Sequence, residues 1–128
     1  MGIFEYKQLD FLTKVYDNEM MIKDNAALEE FKRVCGEYDD SAAGRLGLSG
    51  NPSSSEMISL ATRKSEDWNY EYQCSYHRSA DDSLLYQILS QSYALLGEDI
   101  AAASERMAEA EKTIMVSRYF MYGKQNCD

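Results

Sequence analysis

The sequence predicts an all-α fold, a compact bundle of four to five helices. Three observations carry this. Apolar residues recur at steps of three and four in segment after segment, the period of an amphipathic helix. A single proline stands in 128 residues, so little interrupts long helices. Only one stretch alternates like a strand, and a lone strand would leave its backbone groups unpaired. The length suits one helical domain spanning 1–128, with a Gly/Ser-rich internal loop at about 39–55 and a frayed tail at 123–128.

The first helix is expected over about 3–20. Phe4, Phe11, Leu12, Val15 and Tyr16 share one side, and Lys7, Asp10, Lys14 and Asp17 the other. Asp24 or Asn25 is a good N-cap for the second helix. Its apolar stripe is Ala27, Leu28, Phe31, Val34, Cys35 and Tyr38, and Gly36 stands near its end. Residues 39–55 gather Gly44, Gly47, Gly50 and Pro52 among serines and read as a connector. Leu46 and Leu48 are its expected anchors on the bundle.

Ser53 and Glu56 form a capping-box pattern that opens the segment 54–78. As a helix it places Met57, Leu60, Ala61, Trp68, Tyr72 and Tyr76 on one face. As a strand, Trp68, Tyr70, Tyr72, Cys74 and Tyr76 alternate. Helix is chosen because no second segment alternates to pair with it.

Ser79, Asp81 or Asp82 caps the fourth helix. Leu84, Leu85, Ile88, Leu89, Ser92, Leu95 and Leu96 form its apolar face. Gly97 suits the position just past a helix end, and Glu98 and Asp99 suit the start of the next. Residues 95–99 are therefore expected to turn a helical hairpin. The last helix, about 99–122, carries a heptad seam of Ile100, Ala103, Met107, Ala110, Ile114, Ser117 and Met121. A second row, Ala101, Ala108, Met115 and Tyr122, repeats every seven residues, with Tyr119 beside it. A helix apolar on two sides is central in its bundle or faces a second subunit. That second row is the candidate self-association face.

The charge excludes some partners. Twenty-two acids against 13 bases give a net −9, which repels nucleic-acid phosphate and anionic lipid. Direct nucleic-acid or membrane binding is not expected. Three separated cysteines, Cys35, Cys74 and Cys127, fit reduced thiols in a cytoplasm better than a disulfide framework. A basic and then apolar leader is lacking, and the charge-free stretch 83–97 is too short to span a bilayer.

No motif names a reaction. Cys74 and His77 form one Cys-x-x-His pair, which Cys35 and Cys127 would have to complete for zinc, whereas zinc sites show two local pairs. A cysteine–histidine dyad rests on nothing beyond the presence of both residue types. No cofactor or metal is expected. The most unusual cluster is 66–72, which mixes the aromatics Trp68, Tyr70 and Tyr72 with the acids Glu66, Asp67 and Glu71. On a helix Tyr70 points outward between Asp67 and Glu71. Tyrosine among acids suits contact with a basic protein surface. The expected function is therefore a non-enzymatic protein-binding module, an adaptor, chaperone or inhibitor of a basic partner, nucleic-acid-binding proteins among them. Asp67, Tyr70 and Glu71 would form its contact face. A self-associating assembly subunit, a homodimer through the last helix, is the second reading. A metal-dependent or cysteine enzyme is the third.

Overall fold

The computed structural model describes the backbone of residues 3–126 and the side chains of residues 7–114. It is all helical, with no strand among the described residues. Five α-helices follow in order: α1 (Ile3–Tyr16), α2 (Asn25–Val34), α3 (Ala42–Arg45), α4 (Ser54–Gln73) and α5 (Ala80–Asn126). A 3-10 turn at Ser75–His77 joins α4 to α5.

The helix starts are set by the expected caps. Asp24 Oδ1 accepts the Ala27 N–H at 3.1 Å and opens α2. Ser53 Oγ accepts the Glu56 N–H at 3.1 Å and opens α4. Each satisfies an amide that has no intrahelical partner. Helix α2 ends at Val34, and Gly36 follows at φ +89°, a left-handed conformation that costs glycine little. Segment 54–78 is helical through Gln73, which settles the helix against the strand. It stops short of Tyr76, which stands 93% exposed on the 3-10 turn rather than on the apolar face. Tyr38, placed on the α2 stripe by spacing, is likewise exposed, because α2 has ended before it.

The loop at 39–55 is not wholly irregular. Ser41 Oγ caps the one-turn helix α3 through the Gly44 N–H. Arg45 Nε donates to the Val34 carbonyl at 2.7 Å and ties the loop to the end of α2. Leu46 is buried and Leu48 half-buried, so both anchors hold.

The main departure from expectation is at residues 95–99, where no hairpin forms. Helix α5 runs unbroken through Gly97 to Asn126, past the expected end at Tyr122. Gly97 is buried, and a Cβ built on it would lie 3.4 Å from the Cβ of Ala61 on α4. The glycine therefore serves a close helix crossing rather than a turn. Glu98 and Asp99 are exposed mid-helix residues, not a new helix start.

The core gathers on one stripe of the first half of α5. Leu85, Leu89, Tyr93 and Leu96 are at most 1% exposed and join Phe31, Val34, Ala61 and Phe11. Phe11 meets Phe31 edge to face at 5.3 Å between centroids, a favoured aromatic geometry. Leu84, assigned to this face by spacing, is 44% exposed instead, and Tyr86 takes a buried place. Polar ties fix the layers. Gln8 Nε2 donates to Ser92 Oγ at 2.6 Å between α1 and α5, and Ser65 and Ser90 bond across α4 and α5. Asp82, 2% exposed, accepts the Lys23 N–H at 2.9 Å and the Asp24 N–H at 3.3 Å. Asp81 accepts the Met21 N–H. The acids at the start of α5 thus hold the segment that leads into α2.

Beyond the bundle the seam changes character. Ile100 is buried, Ala101 and Ala103 are half-buried, and every side chain from Glu105 to Ile114 is exposed. Met107 is 66% and Ile114 51% exposed. The expected burial of the whole seam against residues 84–96 fails, because the helix does not fold back on itself. The side chains of Phe4, Met115, Ser117, Tyr119, Met121 and Tyr122, and the whole of Cys127, lie outside the described residues.

Candidate functional site

Two surfaces of this bundle bear on function. The first forms where α4 crosses the base of α5. Asp67, Tyr70 and Glu71 line one shallow groove of about 450 Å³ with Asp24, Trp68 and Tyr86. The structure therefore brings the three predicted residues together. It also adds Lys64 and Arg78, two bases the sequence reading did not include.

Helix phase explains the arrangement. Trp68 turns inward and stacks on Tyr86 with centroids 5.6 Å apart at 25°. Tyr70, two residues on, is 65% exposed as expected. The neighbouring Cys74 thiol, ahead of burial and Glu71, raises its pKa. Asp67 and Glu71 form no ion pair among the described residues. They stand free at the rim, whereas Lys64 is drawn away toward Glu30 at 3.3 Å. The floor is fixed. Tyr86 donates to Asp24 Oδ2 at 2.7 Å, and burial first, then Asp24, pushes its pKa up to about 12. An aromatic floor with two unengaged carboxylates at its rim can receive a cationic side chain.

Neither Asp24, Tyr86 nor Arg78 was legible as part of this site. They come from the segment before α2, the base of α5 and the end of the 3-10 turn, and only the fold brings them together beside α4. Cys74 and His77 stay apart in role. Cys74 caps the end of α4 and is half-buried, while His77 is exposed on the 3-10 turn with its ring edge-on to Tyr76. Among the described residues no three of His, Cys, Asp and Glu gather as a metal group. No helix among them is long and apolar enough to cross a membrane.

The second surface is the bare part of α5. Of the predicted self-association row, Ala101 is half-buried near the bundle's end and Ala108 is exposed. Met115, Tyr119 and Tyr122 fall outside the described side chains. The exposed heptad residues Met107, Ala110 and Ile114 continue the stripe of Leu85, Leu89, Tyr93, Leu96, Ile100 and Ala103, in steps of three and four. The same face of one helix is thus core in its first half and bare in its second.

Comparisons with protein-family models, with curated proteins and with solved structures find no match to this chain.

Proposed function

We propose that the chain is a non-enzymatic protein-binding module, a bundle that holds out a helix for association. One observation carries this reading: the core stripe of α5 runs on past the bundle that covers it, with Met107 and Ile114 exposed. A solitary helix gains most of its stability by packing an apolar face, and an uncovered apolar stripe signals a contact site. The test compares the wild-type chain with Met107→Glu/Ile114→Glu as bait, reading bound proteins, including a tagged second copy, by mass spectrometry. Capture that is lost in the variant supports the reading. Identical capture by both overturns it.

A second contact is favoured by the free carboxylates of Asp67 and Glu71 around exposed Tyr70. Their chemistry suits a basic protein partner, with charges that steer approach and an aromatic that holds contact. Binding to such a partner should weaken with salt. It should also weaken in Asp67→Lys/Glu71→Lys. Affinity that is flat across salt and unchanged by the substitution removes this second contact.

A further inference from the structure

We infer that the groove between α1 and the first half of α5 is a docking site for a short extended peptide. This surface is separate from the Tyr70 face and from the bare stripe of α5. The groove encloses about 600 Å³, within the range of sites that bury a small ligand. Its floor is apolar, made by Phe11 of α1, Met20 of the segment that follows, and Leu84 and Ile88 of α5. Phe11 and Ile88 belong to the core, whereas Leu84 is 44% exposed. Leu84 thus extends the core surface into the groove, where solvent still reaches it.

The α5 wall selects the class of ligand. Gln87 and Gln91 both line the groove. They stand one helical turn apart, so their amides recur about 6 Å along the helix axis. The polar tie between α1 and α5 runs through Gln8 and Ser92, and it leaves both glutamine amides unengaged among the described residues. Each amide offers donors and an acceptor. An extended chain turns an N–H and a C=O to the same side at every second residue, about 6.6 Å apart. The two repeats nearly coincide, so the two glutamines can hold alternate residues of one backbone. A helix keeps its N–H and C=O groups in its own ladder and would leave both amides without partners. Side chains of the extended chain alternate in direction, and two apolar ones then reach the floor of Phe11, Met20, Leu84 and Ile88.

Charge at the two ends sets the sequence. Gln8 meets Ser92 toward one end, and the Met21 N–H meets Asp81 at the other. From Asp81 to Gln91 the groove runs about 15 Å by the helical rise, the length of roughly four to five extended residues. Lys14 is engaged by Asp10 at 3.2 Å. Lys7 at the Gln91 end, and Glu19 with Asp81 at the opposite end, form no ion pair among the described residues. The complementary ligand carries an acid at the Lys7 end, a base at the Glu19 end and two apolar side chains at alternate positions between them.

The test titrates the full chain with two capped, dye-labelled pentapeptides, Glu-Leu-Ser-Leu-Lys and its reversal, which together cover both chain directions. Anisotropy of the dye reads affinity up to about 1 mM protein. The side-chain amide NMR signals of Gln87 and Gln91 read placement. At least one peptide should bind and shift both amides. Gln87→Ala/Gln91→Ala should weaken binding about tenfold, and Leu84→Glu, which sets a charge on the apolar floor, by more than about tenfold. Lys7→Glu should also weaken it, and a peptide with lysine in place of its glutamate should prefer that variant to the wild type. A lost fold would not invert the preference in this way. Met107→Glu/Ile114→Glu should bind as the wild type does. Absence of binding by both peptides, or full binding by Leu84→Glu, overturns the site. Binding lost in Leu84→Glu but unchanged in Gln87→Ala/Gln91→Ala overturns the extended backbone and leaves the groove to a small apolar compound. Loss in Met107→Glu/Ile114→Glu moves the contact to α5 and overturns the groove. An unchanged preference in Lys7→Glu overturns the order of charges.

Discussion

The hydroxyl of Tyr93 on α5 donates to Oε1 of Glu30 on α2 at 2.8 Å. The same oxygen draws Arg33 at 3.4 Å and Lys64 from α4 at 3.3 Å. One half-buried carboxylate thus joins three helices. A hydrogen bond to a charged group contributes about 1.5–3 kcal/mol, so Tyr93→Phe should destabilise the fold by that much in urea unfolding. A loss under about 0.5 kcal/mol, usual for surface sites, would mean that this knot does not hold α2 to α5.

Alkaline pH should unfold the protein through its buried phenols. Burial raises the pKa of Tyr93, and burial with Asp24 holds Tyr86 at about 12 against an ordinary 10.0. The fold therefore favours the protonated forms. Their contribution is complete below pH 10 and is lost as pH rises through the raised folded values, about 12 for Tyr86. A pH series of melting curves should show this decline, with a smaller alkaline loss in Tyr86→Phe. A melting temperature that is flat across that window refutes it.

Gly97→Ala should stabilise the chain by about 0.5–1 kcal/mol. Alanine is the better helix former by that amount, and its methyl would sit at ordinary contact distance, 3.4 Å, from Ala61. At a left-handed helix end the same change would destabilise. The sign of the shift in melting temperature therefore separates one continuous helix from a hairpin.

Leu89 and Ile114 lie on one stripe yet should behave differently. Leu89→Ala opens a cavity in the core and should cost about 2–5 kcal/mol at any protein concentration. Ile114→Ala should cost under about 0.5 kcal/mol, because its side chain is exposed beyond the bundle. Equal costs for the two in dilute chains would place Ile114 inside the core.

The acidic face should be separable from the fold. Asp67→Lys/Glu71→Lys removes no ion pair and Tyr70→Ala no buried contact, so each should stay within about 0.5 kcal/mol of wild type. A larger loss in chemical denaturation would make this face part of the scaffold.

Much of the fold was readable because its signals are local. Asp24 and Ser53 announce their helices through side chains that reach only three residues ahead. The periodicity of Ala27, Phe31 and Val34 needs no partner to be seen. Gly97 failed as a signal because two demands produce the same residue. A turn needs its left-handed freedom, whereas a close helix crossing needs only a small residue. Only Ala61, distant in sequence, decides between them. Tyr86 and Tyr93 escaped attention because their hydroxyls suggest solvent, whereas Asp24 and Glu30 satisfy them inside. The heptad from Ile100 onward is plain in the sequence, but its expected packing against residues 84–96 fails, because periodicity alone does not say what, if anything, covers it. The groove was half visible. Asp67, Tyr70 and Glu71 share one helix, while Arg78 and Tyr86 reach it through the chain's reversal at the 3-10 turn.

The grip of Asp81 and Asp82 on residues 21–24 has a mechanical consequence. Together with the core packing of α5 through Ile100, it leaves the stretch from Glu105 to Asn126, about 33 Å by the helical rise, as a lever arm. A small tilt at the clamped end becomes a displacement many times larger at the tip, and a load at the tip returns as torque on that clamp. The amides of Lys23 and Asp24, bonded to Asp82, are therefore built-in strain gauges. Faster hydrogen exchange at these two amides is the expected sign that a load on the far end of the helix reaches them.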